Sequence, residues 1–182
     1  MLVEVAPGLA VRDARADDLP SIHAIYEPHV RSGIASFEEV PPDLSEIARR
    51  FAEITGQGLP YLVAEIEGTV RGYSYAGRFR PRSAYRYTVE DSIYVEEGWQ
   101  RRGIGRALLS ALIDRATQAG FRQMVAVTGA LGESSSTRLH HRMGFRTVGL
   151  LPSVGFKNGG WVDICMMQRM LGEGDASLPL PR

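Results

Sequence analysis

The stretch Glu97-Gly98-Trp99-Gln100-Arg101-Arg102-Gly103-Ile104-Gly105-Arg106 decides the fold. It lies between a β-branched run at residues 88–95 and the strongest helix signal of the chain, residues 103–119. There Ile104, Ala107, Leu108, Ala111, Leu112 and Arg115 form one stripe, and Gly120 marks the stop. Glycines let backbone N–H groups approach a ligand with no Cβ in the way. The first N–H groups of a helix have no internal partners and carry partial positive charge. A strand–glycine turn–helix junction is therefore a place for a pyrophosphate. The dinucleotide fingerprint G-x-G-x-x-G fails here, because its third glycine position is Leu108. The P-loop fails because no Lys follows the glycine. What remains is Q-x-x-G-x-G, Gln100 to Gly105, with Arg101, Arg102 and Arg106 beside it.

Working outward from the turn, residues 11–14 read as a strand. Leu19, Ile22, Ile25, Tyr26 and Val30 recur at helical spacing behind Asp17, which is placed to cap them. Residues 32–42 form a loop. Leu44, Ile47, Phe51 and Ile54 mark a second amphipathic helix, opened by Asp43 and closed near Gly56. Strands follow at 61–67, 70–76 and 88–95, then the long helix, a strand at 121–127 and a short helix at 134–143. Two last strands, 145–151 and 162–170, are joined by a glycine-rich turn that includes Gly155, Phe156, Lys157, Asn158, Gly159 and Gly160. The order β-α-α-β-β-β-α-β-α-β-β implies an α+β fold: one mixed, mostly antiparallel, twisted sheet flanked by helices. The expectation is a single domain over residues 1–171 and a flexible tail over 172–182.

Composition narrows the function. The 182 residues are 44% hydrophobic and 23% charged, which excludes a wholly disordered chain. The 21 basic and 21 acidic residues balance, so a general electrostatic nucleic-acid binder is disfavoured. Lys157 is the only lysine, and a Schiff-base mechanism would have to use it. Cys165 is the only cysteine, which rules out an internal disulfide and a cysteine-based zinc site; it reads as a small buried apolar residue. No metal site is expected. Residues 1–10 have no basic segment and no long apolar core, and no run of about 18 apolar residues exists. The expected setting is cytoplasmic, with no membrane association.

The Q-x-x-G-x-G turn, with Leu139-His140-His141-Arg142-Met143-Gly144-Phe145 further on, resembles the GNAT superfamily of acyl-CoA-dependent N-acetyltransferases over residues 11–170. Two runs resemble one branch more closely. They are Thr88-Val89-Glu90-Asp91-Ser92-Ile93-Tyr94-Val95 and Gly155-Phe156-Lys157-Asn158-Gly159-Gly160-Trp161-Val162-Asp163. Both are similar to the phosphinothricin/methionine sulfoximine acetyltransferases, which acetylate the α-amino group of small amino-acid analogues.

The resemblance implies acetyl-CoA as co-substrate, a homodimer and a set of roles. An α-amino group, with a pKa of about 8, must lose a proton before it attacks a thioester. Glu90 is the implied general base, acting through water, and His140 the implied acid for the departing thiolate. The backbone of Ile93, Tyr94 and Val95 is implied to pair with the pantetheine arm, with an N–H near Tyr94 or Val95 for the charge on the acyl oxygen. Gln100, Arg101, Arg102, Gly103, Ile104, Gly105 and Arg106 are implied to hold the pyrophosphate. Phe79, Arg80, Tyr85, Val89 and Asp91 are implied to line the substrate pocket, and Phe37 and Glu38 to cover it; a guanidinium suits the substrate carboxylate. Lys157 and Trp161 belong either to the pocket or to a partner copy's share of it. The chain departs from the family at Glu133, where an Asn is usual and a carboxylate would repel phosphate; Ser136 is the alternative cofactor contact on that helix. Other readings are an acetyltransferase for a different amine or a protein N-terminus, and a non-catalytic acyl-CoA-binding module.

Overall fold

The computed structural model describes residues 7–129 and 134–180, so Glu133 lies outside the described residues. Its elements are β1 (Leu9–Asp13), α1 (Leu19–Arg31), α2 (Leu44–Gly56), β2 (Tyr61–Ile66), β3 (Thr69–Arg78), β4 (Thr88–Val95), α3 (Ile104–Gln118), β5 (Gln123–Gly129), α4 (Ser135–Arg142), β6 (Arg146–Lys157) and β7 (Gly160–Met170). The strands make one sheet in the order β1-β2-β3-β4-β5-β7-β6. Every neighbouring pair is antiparallel except β4–β5.

The sheet separates two cores. On one face α3 buries Ile104, Leu108, Leu109, Leu112, Ile113 and Ala116 against Leu62, Ala64, Ala76, Val89 and Met124. On the other face α1 and α2 bury Ile22, Ile25, Tyr26, Val30 and Ile47 against Tyr61, Val63, Tyr73 and Tyr94. A central strand covered on both faces needs side chains suited to two environments, and β4 is that strand.

Asp43 caps α2 as the sequence implies, accepting the Glu46 N–H at 2.8 Å. At α1 the capping residue differs. Asp18, not Asp17, closes a 3-10 turn by accepting the Arg15 N–H at 2.7 Å, and Arg12 grips both of its oxygens at 2.7 and 2.8 Å. The Arg12 hydrogen bonds hold the Asp18 carboxyl below its ordinary range. Asp17 stays exposed.

The glycine-rich turn before β7 is shorter than its composition suggests. Gly155, Phe156 and Lys157 are strand residues paired with Val162, Trp161 and Gly160, and the turn itself is Asn158-Gly159. The extra length is accommodated by a register shift between Leu151 and Gly155. There Ser153 adopts a φ of 51° and donates its N–H to Asp163. At the other end, Leu171 is buried and donates its N–H to Arg122 O, and the Tyr87 hydroxyl donates to Leu180 O at 2.8 Å.

Candidate active site

β4 positions the chemistry by two alternations, one of side chains and one of backbone groups. Glu96 donates its N–H to Arg71 O on the β3 side, whereas Tyr87 O accepts from Arg122 and Gln123 on the β5 side. Even-numbered backbone groups therefore address β3 and odd-numbered ones address β5. The parallel pairing with β5 covers only Thr88, Val89 and Glu90, opposite Gln123, Met124 and Val125. Beyond it the strands part, and the peptide groups of Ile93 and Val95 face the gap. Tyr94 turns its backbone to β3 and its ring into the α1 core. Of the two N–H groups named for the acyl oxygen, geometry thus favours Val95.

The glycine turn has the form of an anion cradle. Gly103 opens α3 with a φ of 83°, a left-handed conformation that glycine adopts without steric cost, and no side chain caps the helix. Ile104 buries its side chain in the core and offers only its backbone. Gln100 is exposed and bonds back into its own turn, its Oε1 accepting the Gly98 N–H at 2.9 Å. Arg102 lies over the Trp99 ring, with Arg71 also over that ring, while Arg101 and Arg106 are exposed beside the turn. An uncapped helix start with three arginines and an unpaired strand edge together fit a pyrophosphate followed by an amide-containing arm.

Glu90 points to the α1/α2 face. Burial raises its pKa, the neighbouring charge of Asp91 adds to this, and Arg80 opposes it. No side chain among the described residues hydrogen-bonds it. Arg80 in turn lies over the Phe79 ring, which meets Tyr85 edge to face at 5.7 Å. Tyr75 shows which groups share this cleft. Burial raises its phenol, Ser92 and Arg50 pull it back, and Glu38 and Glu90 push it up. Glu38 itself is tied to Arg50 at 2.6 Å and accepts the Tyr26 hydroxyl at 3.1 Å. The structure therefore brings Glu90, Arg80, Phe79, Tyr85 and Glu38 to one side of the sheet.

Val89 and Asp91 do not join them. Strand alternation turns both to the opposite face, where Val89 is wholly buried in the α3 core. Asp91 is also buried, and its Oδ2 meets His140 Nε2 at 3.0 Å. His140 Nδ1 is 2.8 Å from the Ser136 carbonyl and 3.4 Å from its hydroxyl. Burial works against a charged His140 ring. The Asp91 hydrogen bond and charge, with the Ser136 carbonyl, outweigh it and raise the pKa.

Three features have no clear signal in the sequence. His29, on α1, reaches the Val95 carbonyl with Nε2 at 3.1 Å and so ties down the far end of the gap. Lys157 is buried and donates Nζ to Ser36 O at 2.5 Å. Gly155 lies under Phe37: a Cβ there would stand 2.2 Å from Phe37 Cε2. Lys157 and Gly155 together strap the 32–38 loop to the β6–β7 hairpin. Among the described residues no group of three or more His, Cys, Asp or Glu is arranged to hold a metal. No helix there is long and apolar enough to cross a membrane.

Comparison with known proteins agrees with this geometry. Residues 11–166 match the acetyltransferase (GNAT) domain family. The chain is 52% identical to a phosphinothricin N-acetyltransferase of Alcaligenes faecalis, over 93% of this chain and 86% of that one. It is 42% identical to an L-methionine sulfoximine/L-methionine sulfone acetyltransferase of Pseudomonas aeruginosa, over 87% and 92%. A crystal structure of a GNAT superfamily phosphinothricin acetyltransferase from Sinorhizobium meliloti, in complex with AcCoA, superposes with a TM-score of 0.92 at 51% identity, covering 95% of this chain and 94% of that one. The chain belongs to the GNAT family and is an N-acetyltransferase.

Proposed function

We propose that this enzyme transfers acetyl from acetyl-CoA to the α-amino group of a small amino-acid analogue of the phosphinothricin, methionine sulfoximine or methionine sulfone type. The observation that carries the reading is the fork between β4 and β5, which closes at Glu90 on one face and Asp91–His140 on the other. The relatives' substrates support the class.

Acetyl-CoA supplies an activated acyl thioester. The α3 N-terminus with Arg101, Arg102 and Arg106 takes the pyrophosphate, and Ile93 and Val95 pair with the arm. Ser136, at the start of α4, faces the same ligand. Arg80 takes the substrate carboxylate, between Phe79 and Tyr85 and under the Phe37–Glu38 loop. Glu90 accepts the ammonium proton through water; its raised pKa brings it closer to that of the amine. The Val95 N–H meets the charge that develops on the acyl oxygen. His140 returns a proton to the leaving sulfur. No acyl-enzyme is needed, and Cys165 is buried on β7.

The same reading places the enzyme in the cytoplasm as a homodimer. The edge hairpin exposes Val148, Leu150, Val154, Phe156 and Trp161, the last at 69%. A contiguous apolar edge of this kind suits a second copy. Light scattering is expected to give twice the chain mass, and Trp161→Glu to shift it toward the monomer.

The function is tested by thiol release from acetyl-CoA with a panel of amines. Release with phosphinothricin, methionine sulfoximine and methionine sulfone is expected. Release confined to spermidine or peptide N-termini would assign a different acceptor. Acetyl-CoA binding with no release for any amine would remove the catalytic reading.

A further inference from the structure

We propose that Asp91 is a positioning residue of this site, clamping the His140 imidazole across the fork and holding both of its ring protons in place; the inference rests on the acetyl-transfer reading above. Asp91 is the first β4 residue beyond the last pair shared with β5, and His140 comes from α4 on the far side of the opening. Their side chains are only 2% and 4% exposed, so the contact is shielded from water.

The hydrogen bonds determine the protonation state. The Ser136 carbonyl can only accept, so His140 Nδ1 carries a hydrogen. Nε2 then faces a carboxylate oxygen at 3.0 Å, which favours a hydrogen there too. With Asp91 ionised, the ring is an imidazolium with both N–H groups directed by the protein. The groups that bear on it are few. From β4 there is Asp91, with Glu90 behind it on the opposite face. From α4 there is the Ser136 carbonyl, while His141 turns away to Phe145 O. Phe145 packs edge-on at 5.0 Å, and Thr128 is engaged with Thr137.

This arrangement suits a proton donor that must reset. When the thiolate leaves, the Nε2 proton passes from its Asp91 hydrogen bond to the sulfur: an S–H bond forms, and the N–H bond breaks. The neutral ring left behind is the Nδ1–H tautomer that Ser136 already holds, so no ring flip is needed. The bare Nε2 lone pair then faces the Asp91 carboxylate, an unfavourable contact that draws a proton back once CoA leaves and the fork readmits water. Asp91 Oδ1 is buried without a partner among the described residues, so this carboxylate keeps an acceptor free beside the fork.

Asp91→Asn is the test, because its amide keeps the shape and can donate to a bare Nε2. In the free wild-type enzyme, side-chain 15N NMR, with His140 assigned by its loss in His140→Gln, is expected to show both ring nitrogens protonated at pH 7. Asp91→Asn is expected to show the neutral Nδ1–H tautomer. In kinetics its kcat at pH 8 should fall about tenfold, with little change at pH 6 and an unaltered acetyl-CoA KM. Asp91→Ser, with its fold checked by circular dichroism, repeats both readouts without an amide. An unchanged His140 protonation state in either folded variant overturns the proposal, as does a fall in kcat that is uniform across pH. A wild-type enzyme inactive with every amine would instead defeat the acetyl-transfer reading, and the NMR would still decide who holds the proton.

Discussion

Glu90 and Asp91 are neighbours in sequence and carry the same charge, yet they occupy different chemical compartments. Glu90 faces α1 and α2, half-buried near Arg80 and Tyr75, with no side-chain hydrogen bond among the described residues. Asp91 faces α3 and α4, closed to water and committed to His140. The side-chain period of two puts them on opposite sides of one strand. Burial and the neighbouring Asp91 charge raise the first, leaving a carboxylate able to take a proton. In the proposed clamp the second has its charge matched by an imidazolium, and so fixes a proton instead. On the proposed mechanism, a strand in the middle of a doubly covered sheet carries a base on one face and holds an acid on the other, one residue apart.

The largest expected effect is at the base. Glu90→Gln should lower kcat by about 10²–10⁴-fold, because it removes the proton acceptor while keeping the shape. Acetyl-CoA affinity, measured by calorimetry, should stay within about twofold, since the cradle lies on α3. The acid limb of wild-type kcat/KM should lie above the ordinary Glu pKa of about 4.3, because burial and Asp91 both raise Glu90. Equal losses of kcat in Glu90→Gln and Asp91→Asn at every pH would erase the distinction between the two faces.

Two glycines sharpen the comparison through Michaelis constants. Gly155→Val drives a side chain into the Phe37 ring and should displace the loop over the Glu90 face. The amine KM is expected to rise about tenfold, and stability to fall by about 1–3 kcal/mol. Gly103→Ala forces a Cβ into a left-handed conformation at the start of α3, at a cost of about 1–2 kcal/mol. Here the acetyl-CoA KM should rise and the amine KM should not. Steady-state kinetics with each substrate varied in turn separates the two; a crossed result would mean that the faces do not divide the substrates as proposed.

Local features were readable where local physics decides them. The bounds of β4, the Asp43 cap and the glycine turn follow from β-branching, a carboxylate and a backbone demand, and the structure carries all three. Misplacements arose where a residue answers to something distant. Gly155 reads as a turn, but it is a strand residue kept small by Phe37, which is remote in sequence. Lys157 has its partner at Ser36, and His29 has its partner at Val95. Neither pairing leaves a trace in spacing. Val89 and Asp91 face away from the Glu90 pocket by an alternation that the strand itself implies. Asp17 and Asp18 are indistinguishable until Arg12 comes round on β1 to choose one.

The smallest expected effect is on stability, and its sign follows from His140. Burial opposes the charged ring, but Asp91 and the Ser136 carbonyl raise its folded pKa above the ordinary value of 6.5. A histidine that binds its proton more tightly when folded stabilises the fold in full below the unfolded pKa. That contribution is lost as pH rises from about 6.5 through the elevated folded value. Glu90 also has a raised folded pKa, so its contribution likewise declines with rising pH, starting from the carboxylate range. The clean comparison is therefore Glu90→Gln against the double variant Glu90→Gln, Asp91→Asn. The single variant should lose Tm from pH 6.5 upward, by about 2–4 °C for each kcal/mol surrendered in a domain of this size. The double variant should show a flatter slope over that window, because an amide stabilises the neutral ring. Parallel Tm curves for the two would show that Asp91 does not hold the His140 proton, whatever the kinetics say.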